Sequence, residues 1–282
     1  MILFKRANDI TAYIRQQQAS GLRIGMVPTM GALHQGHLSL LEASKKNTNL
    51  TVCSIFVNPT QFNDPGDFQK YPVTLEKDIY ALEKISVDIL FLPDVADIYP
   101  RGVTGLEHYD LGYLDHILEG QYRPGHFQGV CQVMNRLLTI VQPDQLYMGQ
   151  KDYQQCMVVK KLLEIMRSTI VLHTCATLRE PDGLAMSSRN MRLSEPERKK
   201  APAIYQSLLF LKKNLRQGNL SELVAQAGSL LKENDFSVDY VAIANAATLE
   251  PLLQWDGQEK LVALIAAYQR DVRLIDNMLM NS

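Results

Sequence analysis

Cysteine is scarce in this 282-residue chain, and no two cysteines stand in CxxC spacing. The four, Cys53, Cys131, Cys156 and Cys175, therefore argue against a zinc or thioredoxin-like redox motif. Cys53 and Cys175 sit in apolar runs and read as buried thiols of a reducing compartment. Net charge is also missing: 29 basic against 30 acidic residues give a formal charge of -1. No global field draws nucleic acid or an anionic membrane, and no local basic patch stands out, so neither is expected as a partner. No uncharged run reaches the roughly 20 residues of a membrane span. The opening MILFKRANDITAYI places Lys5, Arg6 and Asp9 inside any candidate apolar core, unlike a secretory signal. Neither GxxxxGK[ST] nor a strand-linked GxGxxG occurs, so a nucleotide would not be held by a Walker loop or a dinucleotide fingerprint. Internal repeats and low-complexity tracts are absent as well.

What is present is an alternation. Hydrophobic residues make up 46%, an ordinary share for a globular chain long enough for two domains. Asn8 or Asp9 is placed to cap a helix whose Ile10, Tyr13 and Ile14 share a face, ending near Ser20-Gly21. Residues 24–27 read as a strand stopped by Pro28, and 36–46 as a helix. The β-branched run 50–57 reads as a strand buried on both faces. A helix over 74–85, a strand over 88–94, a helix over 129–141, a strand over 145–148, a helix over 153–166 and a fifth strand over 170–175 follow. This order predicts an α/β fold, a Rossmann-like parallel sheet with helices on both faces. After Arg179 the texture changes. Helices over 194–215 and 220–233 and strands over 238–243, 261–267 and 272–275 predict a smaller α+β C-terminal domain. The expected division is a Rossmann-like domain over 1–179 and the smaller α+β domain over 180–282. The stretch 94–127 shows little period and is assigned no fold.

The chemically rich segments all follow strands, where open parallel sheets bind ligands. PTMGALHQGH, residues 28–37, comes after the first strand. His34 and His37 lie one helical turn apart, and Gly31 and Gly36 let backbone approach a ligand. A helix N-terminus attracts phosphate, and imidazole adds donors. Alone, HxxH reads rather as a capping histidine beside a packed one, and a metal site lacks a third ligand at a familiar spacing; PTMG directly ahead, after a strand, tips the reading to phosphate binding. NPTQF after the second strand offers the amides of Asn58 and Gln61 to a polyol or carboxylate, or forms a plain turn. GQKDYQQ puts Lys151 and Asp152 between a strand and a helix, where the lysine can balance a transferring phosphoryl group and the aspartate can accept from ribose hydroxyls or cap the helix. MSSRN, 186–190, supplies two hydroxyls and the Arg189 guanidinium for phosphate oxygens, a composition also common in surface loops. YRPGH, 122–126, reads as a turn rather than as a loop presenting Arg123. Asp78, in YPVTLEKD, could reach a metal through water but is not assigned as a ligand.

Taken together, PTMGALHQGH, FVNPTQF, YMGQKDYQQ and LREPDGLAMSSRN resemble the signature segments of the pantoate–β-alanine ligase (pantothenate synthetase) family, in order and over nearly the whole chain. HQGH more distantly resembles the first signature of class I aminoacyl-tRNA synthetases. MSSRN occupies the place of their KMSKS loop, with Arg189 where a lysine is expected; that departure is usual for the pantothenate family and counts against a tRNA synthetase. The resemblance implies an ATP- and Mg²⁺-dependent ligase that adenylates pantoate and passes it to β-alanine, releasing AMP and diphosphate. It implies Mg²⁺ bound chiefly through the ATP phosphates, with no protein metal ligand named. By motif, Met30, Gly31, Ala32, Leu33, His34, Gln35, Gly36 and His37 meet ATP, as do Gly149, Gln150, Lys151, Asp152 and Leu178. Met186, Ser187, Ser188 and Arg189 close over the triphosphate. His37, His34, Lys151 and Arg189 carry the catalytic expectation, His37 as proton donor. Gln61, Gln155 and Asn58 are expected to hold pantoate and β-alanine. A cytoplasmic homodimer is implied. The rival readings are another HxGH-superfamily nucleotidyltransferase, or a non-catalytic nucleotide-binding protein.

Overall fold

The computed structural model describes residues 1–63 and 65–281. These form two compact units, one of Met1–Gln150 with Gln155–Ala176, the other of Lys151–Gln154 with the chain from Thr177 onward.

The first unit is built on six parallel strands: β1 (Ile2–Phe4), β2 (Ile24–Thr29), β3 (Leu50–Ile55), β4 (Ile89–Phe91), β5 (Gln145–Gly149) and β6 (Val171–Cys175), ordered β1-β4-β3-β2-β5-β6. Five of these were expected. The sixth, β1, pairs Ile2, Leu3 and Phe4 with Ile89, Leu90 and Phe91. Its three residues have no local period to announce them; the open edge of β4 orders them. β2 also runs further than expected. Pro28 does not stop it, because pairing to β5 is confined to Gly25 and Met26 while β3 stays paired through Thr29. A proline without an N–H is tolerated where one neighbour has already diverged.

The helices of this unit are α1 (Ala7–Ala19), α2 (Gln35–Asn47), α3 (Pro65–Gln69), α4 (Leu75–Lys84), α5 (Val95–Ile98), α6 (Glu119–Tyr122), α7 (His126–Val141) and α8 (Tyr153–Ile165). α1 begins at Ala7 behind an extended Arg6 that makes no side-chain cap, so neither Asn8 nor Asp9 is its N-cap. α2 and α4 press Leu38, Leu41 and Leu82 against Val27, Cys53, Leu90 and Tyr147 of the sheet, all buried. Burial pushes the Cys53 thiol up to about 12, and it packs as an inert apolar group. The unassigned stretch 94–127 contains α5, α6 and a 3₁₀ turn at Gly112–Asp115. Buried Tyr99, Tyr109, Leu111, Leu114 and Leu118 anchor it. Burial there, not periodicity, holds irregular backbone in place.

The order β4-β3-β2-β5-β6 reverses direction between β2 and β5. That is the topological switch point of a doubly wound sheet, outside whose carboxyl ends ligands bind. Met30 and Gln150 are the first residues beyond those two strand ends.

In the second unit, β8 (Phe236–Asn245), β10 (Leu261–Gln269) and β11 (Val272–Leu279) form an antiparallel sheet ordered β11-β10-β8. β7 (Gly218–Asn219) and β9 (Gln254–Trp255) make a short separate pair. The expected helix over 194–215 is two helices, α9 (Glu195–Lys200) and α10 (Ala203–Asn214), followed by α11 (Ser221–Glu233). Pro202 separates the first two at the N-cap of α10, consistent with a residue that cannot continue a preceding helix. Leu208, Leu211, Leu231, Ile243 and Ile265 are at the heart of this unit's core.

Candidate active site

Beyond β2 the backbone enters a tight left-handed turn. Gly31 has φ +81° and Ala32 φ +49°; a Cβ at Gly31 would stand 3.1 Å from both Asp78 and Ile55. Such a turn needs glycine at its first position and external support at its second. Asp78, in the first turn of α4 and 2% exposed, supplies it. The Ala32 N–H donates to Asp78 Oδ2 at 2.9 Å and the Leu33 N–H to Oδ1 at 2.8 Å. Thr74 Oγ1 donates to the same carboxylate at 3.0 Å. Asp78 thus has a part in the site that sequence reasoning did not find. An acid in the first turn of a helix reads simply as a favourable dipole partner.

The turn delivers the chain to α2, whose N-cap is His34. The Gly36 N–H donates to His34 Nδ1 at 3.1 Å, and the His34 N–H donates to His37 Nδ1 at 3.3 Å. The two rings are 4.0 Å apart, centroid to centroid. This is a capping box built from two histidines. A neutral imidazole that accepts at Nδ1 carries its proton on Nε2. Each ring therefore meets an anion as an N–H donor without first having to be charged.

After β3, Asn58 caps a 3₁₀ turn of Pro59–Gln61. Asn58 is 1% exposed. Its Nδ2 donates to Gly129 O at 3.1 Å and to Gln61 Oε1 at 3.2 Å. Its Oδ1 accepts from Tyr99 Oη at 2.8 Å. Both ends of this amide are engaged within the protein, so Asn58 holds the turn that presents Gln61 instead of facing solvent itself. Gln61 Nε2 lies 3.2 Å from Met30 Sδ, which brings the segments after β2 and β3 together. The YRPGH turn braces the same residue from behind: Arg123 Nη1 donates to His126 Nε2 at 3.0 Å, and His126 Nδ1 donates to Gln61 O at 2.8 Å. Arg123 is a brace, in keeping with a turn.

The GQKDYQQ segment contributes residues to both units. Gly149 ends β5, Gln150 opens a 3₁₀ turn, and the chain crosses to the second unit at Lys151, returning at Gln155 in α8. Cys156 Sγ meets Gly149 O at 3.4 Å.

Within the second unit, residues 179–185 fold back as a narrow hairpin. Arg179 and Ala185 form an antiparallel bridge, and the Met186 N–H donates to Leu178 O at 3.0 Å. Ser187 then caps a 3₁₀ turn of Ser188–Arg192, its Oγ accepting from the Arg189 N–H at 3.3 Å. Asn190 Nδ2 donates to Ala185 O at 3.0 Å and closes the loop. The expected phosphate loop is therefore a built turn with defined caps.

A doubly wound α/β sheet, with a histidine-capped helix at its switch point and amide-bearing turns beside it, defines the class: a Rossmann-like fold. The chain belongs to the pantoate–β-alanine ligase family, which it matches over residues 2–279. It is 42% identical to a pantothenate synthetase of Cytophaga hutchinsonii over 281 residues, covering 99% of each chain. It is 40% identical to that of Acetivibrio thermocellus over 282 residues, again covering 99% of each. Among solved structures, the pantothenate synthetase of Thermus thermophilus superposes with a TM-score of 0.87 at 37% identity over the full length of both chains. The pantoate–β-alanine ligase of Francisella tularensis, complexed with beta-gamma ATP and β-alanine, does so at 0.81 and 38% identity, covering 100% of this chain and 98% of that one.

Proposed function

We propose that the chain condenses pantoate with β-alanine, driven by ATP, through a pantoyl-adenylate. The observation that carries this reading is the end-to-end family match, together with a histidine capping box on the loop after β2. In the first step a pantoate carboxylate oxygen bonds to the α-phosphorus, the bond from that phosphorus to the bridging oxygen breaks, and diphosphate leaves. In the second the neutral amine of β-alanine attacks the acyl carbon, the bond to AMP breaks, and the amine proton is lost. No enzyme nucleophile is needed; catalysis is positioning and charge stabilisation.

The residues divide by unit. In the first, Met30–His37 with Gly149 and Gln150 take the nucleotide, His34 and His37 donating from Nε2 to phosphate oxygens. Gln61 and Gln155 take pantoate, and Asn58 fixes Gln61. In the second, Lys151 and Arg189 offset the phosphate charge that repels the attacking carboxylate. Asp152 takes the ribose, Leu178 borders the adenosine, and Met186, Ser187 and Ser188 line the phosphate loop. Among the described residues no three His, Cys, Asp or Glu side chains gather into a metal site, and Asp78 is committed to backbone N–H groups. Mg²⁺ enters this reading with the substrate, bound through the ATP phosphates. A homodimer in the cytoplasm completes it; light scattering in solution tests the first half. No described helix is long and apolar enough to cross a membrane.

The test is diphosphate release with ATP and pantoate, with and without β-alanine. The expected result is a stoichiometric burst without β-alanine and steady turnover with it. ATP binding with no pantoate-dependent diphosphate would overturn the reading.

A further inference from the structure

The end of the chain holds a charged pair that the proposed chemistry does not use. Asp276, on β11, is 3% exposed. Arg179 donates to it twice, Nη1 to Oδ2 at 2.5 Å and Nη2 to Oδ1 at 3.1 Å. The same guanidinium donates to Gly183 O at 3.1 Å and to Asn277 O at 3.3 Å, and lies 4.4 Å from the centroid of the Tyr205 ring. Next to Asp276 stands Asn277, 2% exposed, whose Nδ2 donates to the main-chain oxygen of Lys151 at 2.8 Å. One buried fork thus fastens β11, the hairpin that leads into Met186–Arg189, and, one residue on, the backbone that carries Lys151.

An interior ion pair is a poor choice for stability alone, since apolar residues of the same volume commonly do as well. What a bidentate Arg–carboxylate pair supplies is direction, because its donors sit in a rigid plane. The direction here is toward two segments expected to meet phosphate.

We infer that Asn277, oriented by the Arg179–Asp276 pair, is a positioning residue that sets Lys151 for adenylate formation. This rests on the reading of Lys151 given above. The experiment is a double-mutant cycle on single-turnover diphosphate release with ATP and pantoate, using Asn277→Ala, Lys151→Ala and the double variant. Asn277→Leu, which fills the space without a donor, is run alongside in case the smaller side chain unfolds the strand. Lys151→Ala is expected to slow the step roughly 10²-fold. Asn277→Ala is expected to slow it about tenfold, the scale of one lost hydrogen bond, with half-saturating pantoate little changed. On the Lys151→Ala background Asn277→Ala is expected to add nothing, because the side chain it positions is gone. If Lys151→Ala leaves the rate intact, the assignment of Lys151 fails and this inference with it. If Lys151→Ala is slow but Asn277→Ala is not, or its tenfold loss reappears in the double variant, positioning alone is overturned. Unfolding of both Asn277 variants would likewise overturn it, making the residue structural.

Discussion

At the scale of the residue, the site is built from groups that hold other groups. His34 and His37 each spend Nδ1 on backbone at the start of α2, which leaves the ring proton on Nε2. Replacing His37 by Ala removes a preorganised donor, and adenylate formation is expected to fall roughly 10²-fold. Rapid-quench measurement of diphosphate release checks this; a near-normal rate would return the pair to plain capping. Asp78 acts one layer further out. Asp78→Asn keeps the shape but turns an amide N–H toward a backbone donor that now finds a carboxylate oxygen. Stability is expected to fall by about 1–3 kcal/mol, the range for a buried donor left unsatisfied. The adenylation rate is expected to fall with it, because the left-handed backbone at Ala32 loses its support. Urea unfolding beside single-turnover kinetics separates the two effects, and a loss of stability with an unchanged rate would show that the turn holds without its carboxylate.

At the scale of the element, the decisive contact is where α7 meets the turn after β3. A Cβ on Gly129 would stand 2.2 Å from Thr60 O and 2.6 Å from Gln61 Cα, so this helix has glycine where another backbone presses against it. Gly129→Ala must push the 3₁₀ turn away and carry Gln61 with it. Pantoate affinity is expected to drop about tenfold, the scale of one lost hydrogen bond, while ATP affinity is largely kept. Calorimetric titration of each ligand decides; equal losses would mean that the whole sheet edge has moved. Contacts of this kind explain what the sequence disclosed and what it hid. Strand-then-turn patterning after Val27, Val57 and Met148 was enough to expect three turns on one edge, because a parallel sheet puts such turns there by topology. The capping phase of His34 and His37 was legible for the same local reason. β1 was not, because Ile2–Phe4 becomes a strand only through the edge of β4. Nor were the contacts of Asp78, His126 and Asn277 legible. Their partners, Ala32, Gln61 and Lys151, lie 46, 65 and 126 positions away, and no periodicity connects residues so far apart.

At the scale of the whole molecule, charge is balanced overall but its titration is not. The second unit carries several carboxylates held below their ordinary range. Arg198, donating to Asp182 at 2.5 Å, lowers that group from 3.8. The backbone N–H of Ser194 lowers Glu197 from 4.5, Lys200 lowers Asp235, and the Gln258 N–H lowers Asp256. A carboxylate whose folded value lies below its unfolded one adds stability above the unfolded value, and that stability is lost as pH falls through the folded one. Asp276 runs the other way: burial raises it and Arg179 only partly offsets the rise, so its protonation on acidification relieves the native state. The contributions of the four lowered groups are expected to fade as pH drops below their ordinary values, 3.8 for aspartate and 4.5 for glutamate. Arg198→Ala isolates one member. At pH 7 it is expected to lower the melting temperature slightly, because a half-exposed pair contributes only about 0–1 kcal/mol. Once pH has fallen through its lowered folded value, Asp182 is protonated in both proteins, and the two melting curves are expected to converge. Scanning calorimetry of wild type and Arg198→Ala across that interval gives the answer. A difference that persisted undiminished into acid would assign Arg198 a packing role and remove Asp182 from the acid response.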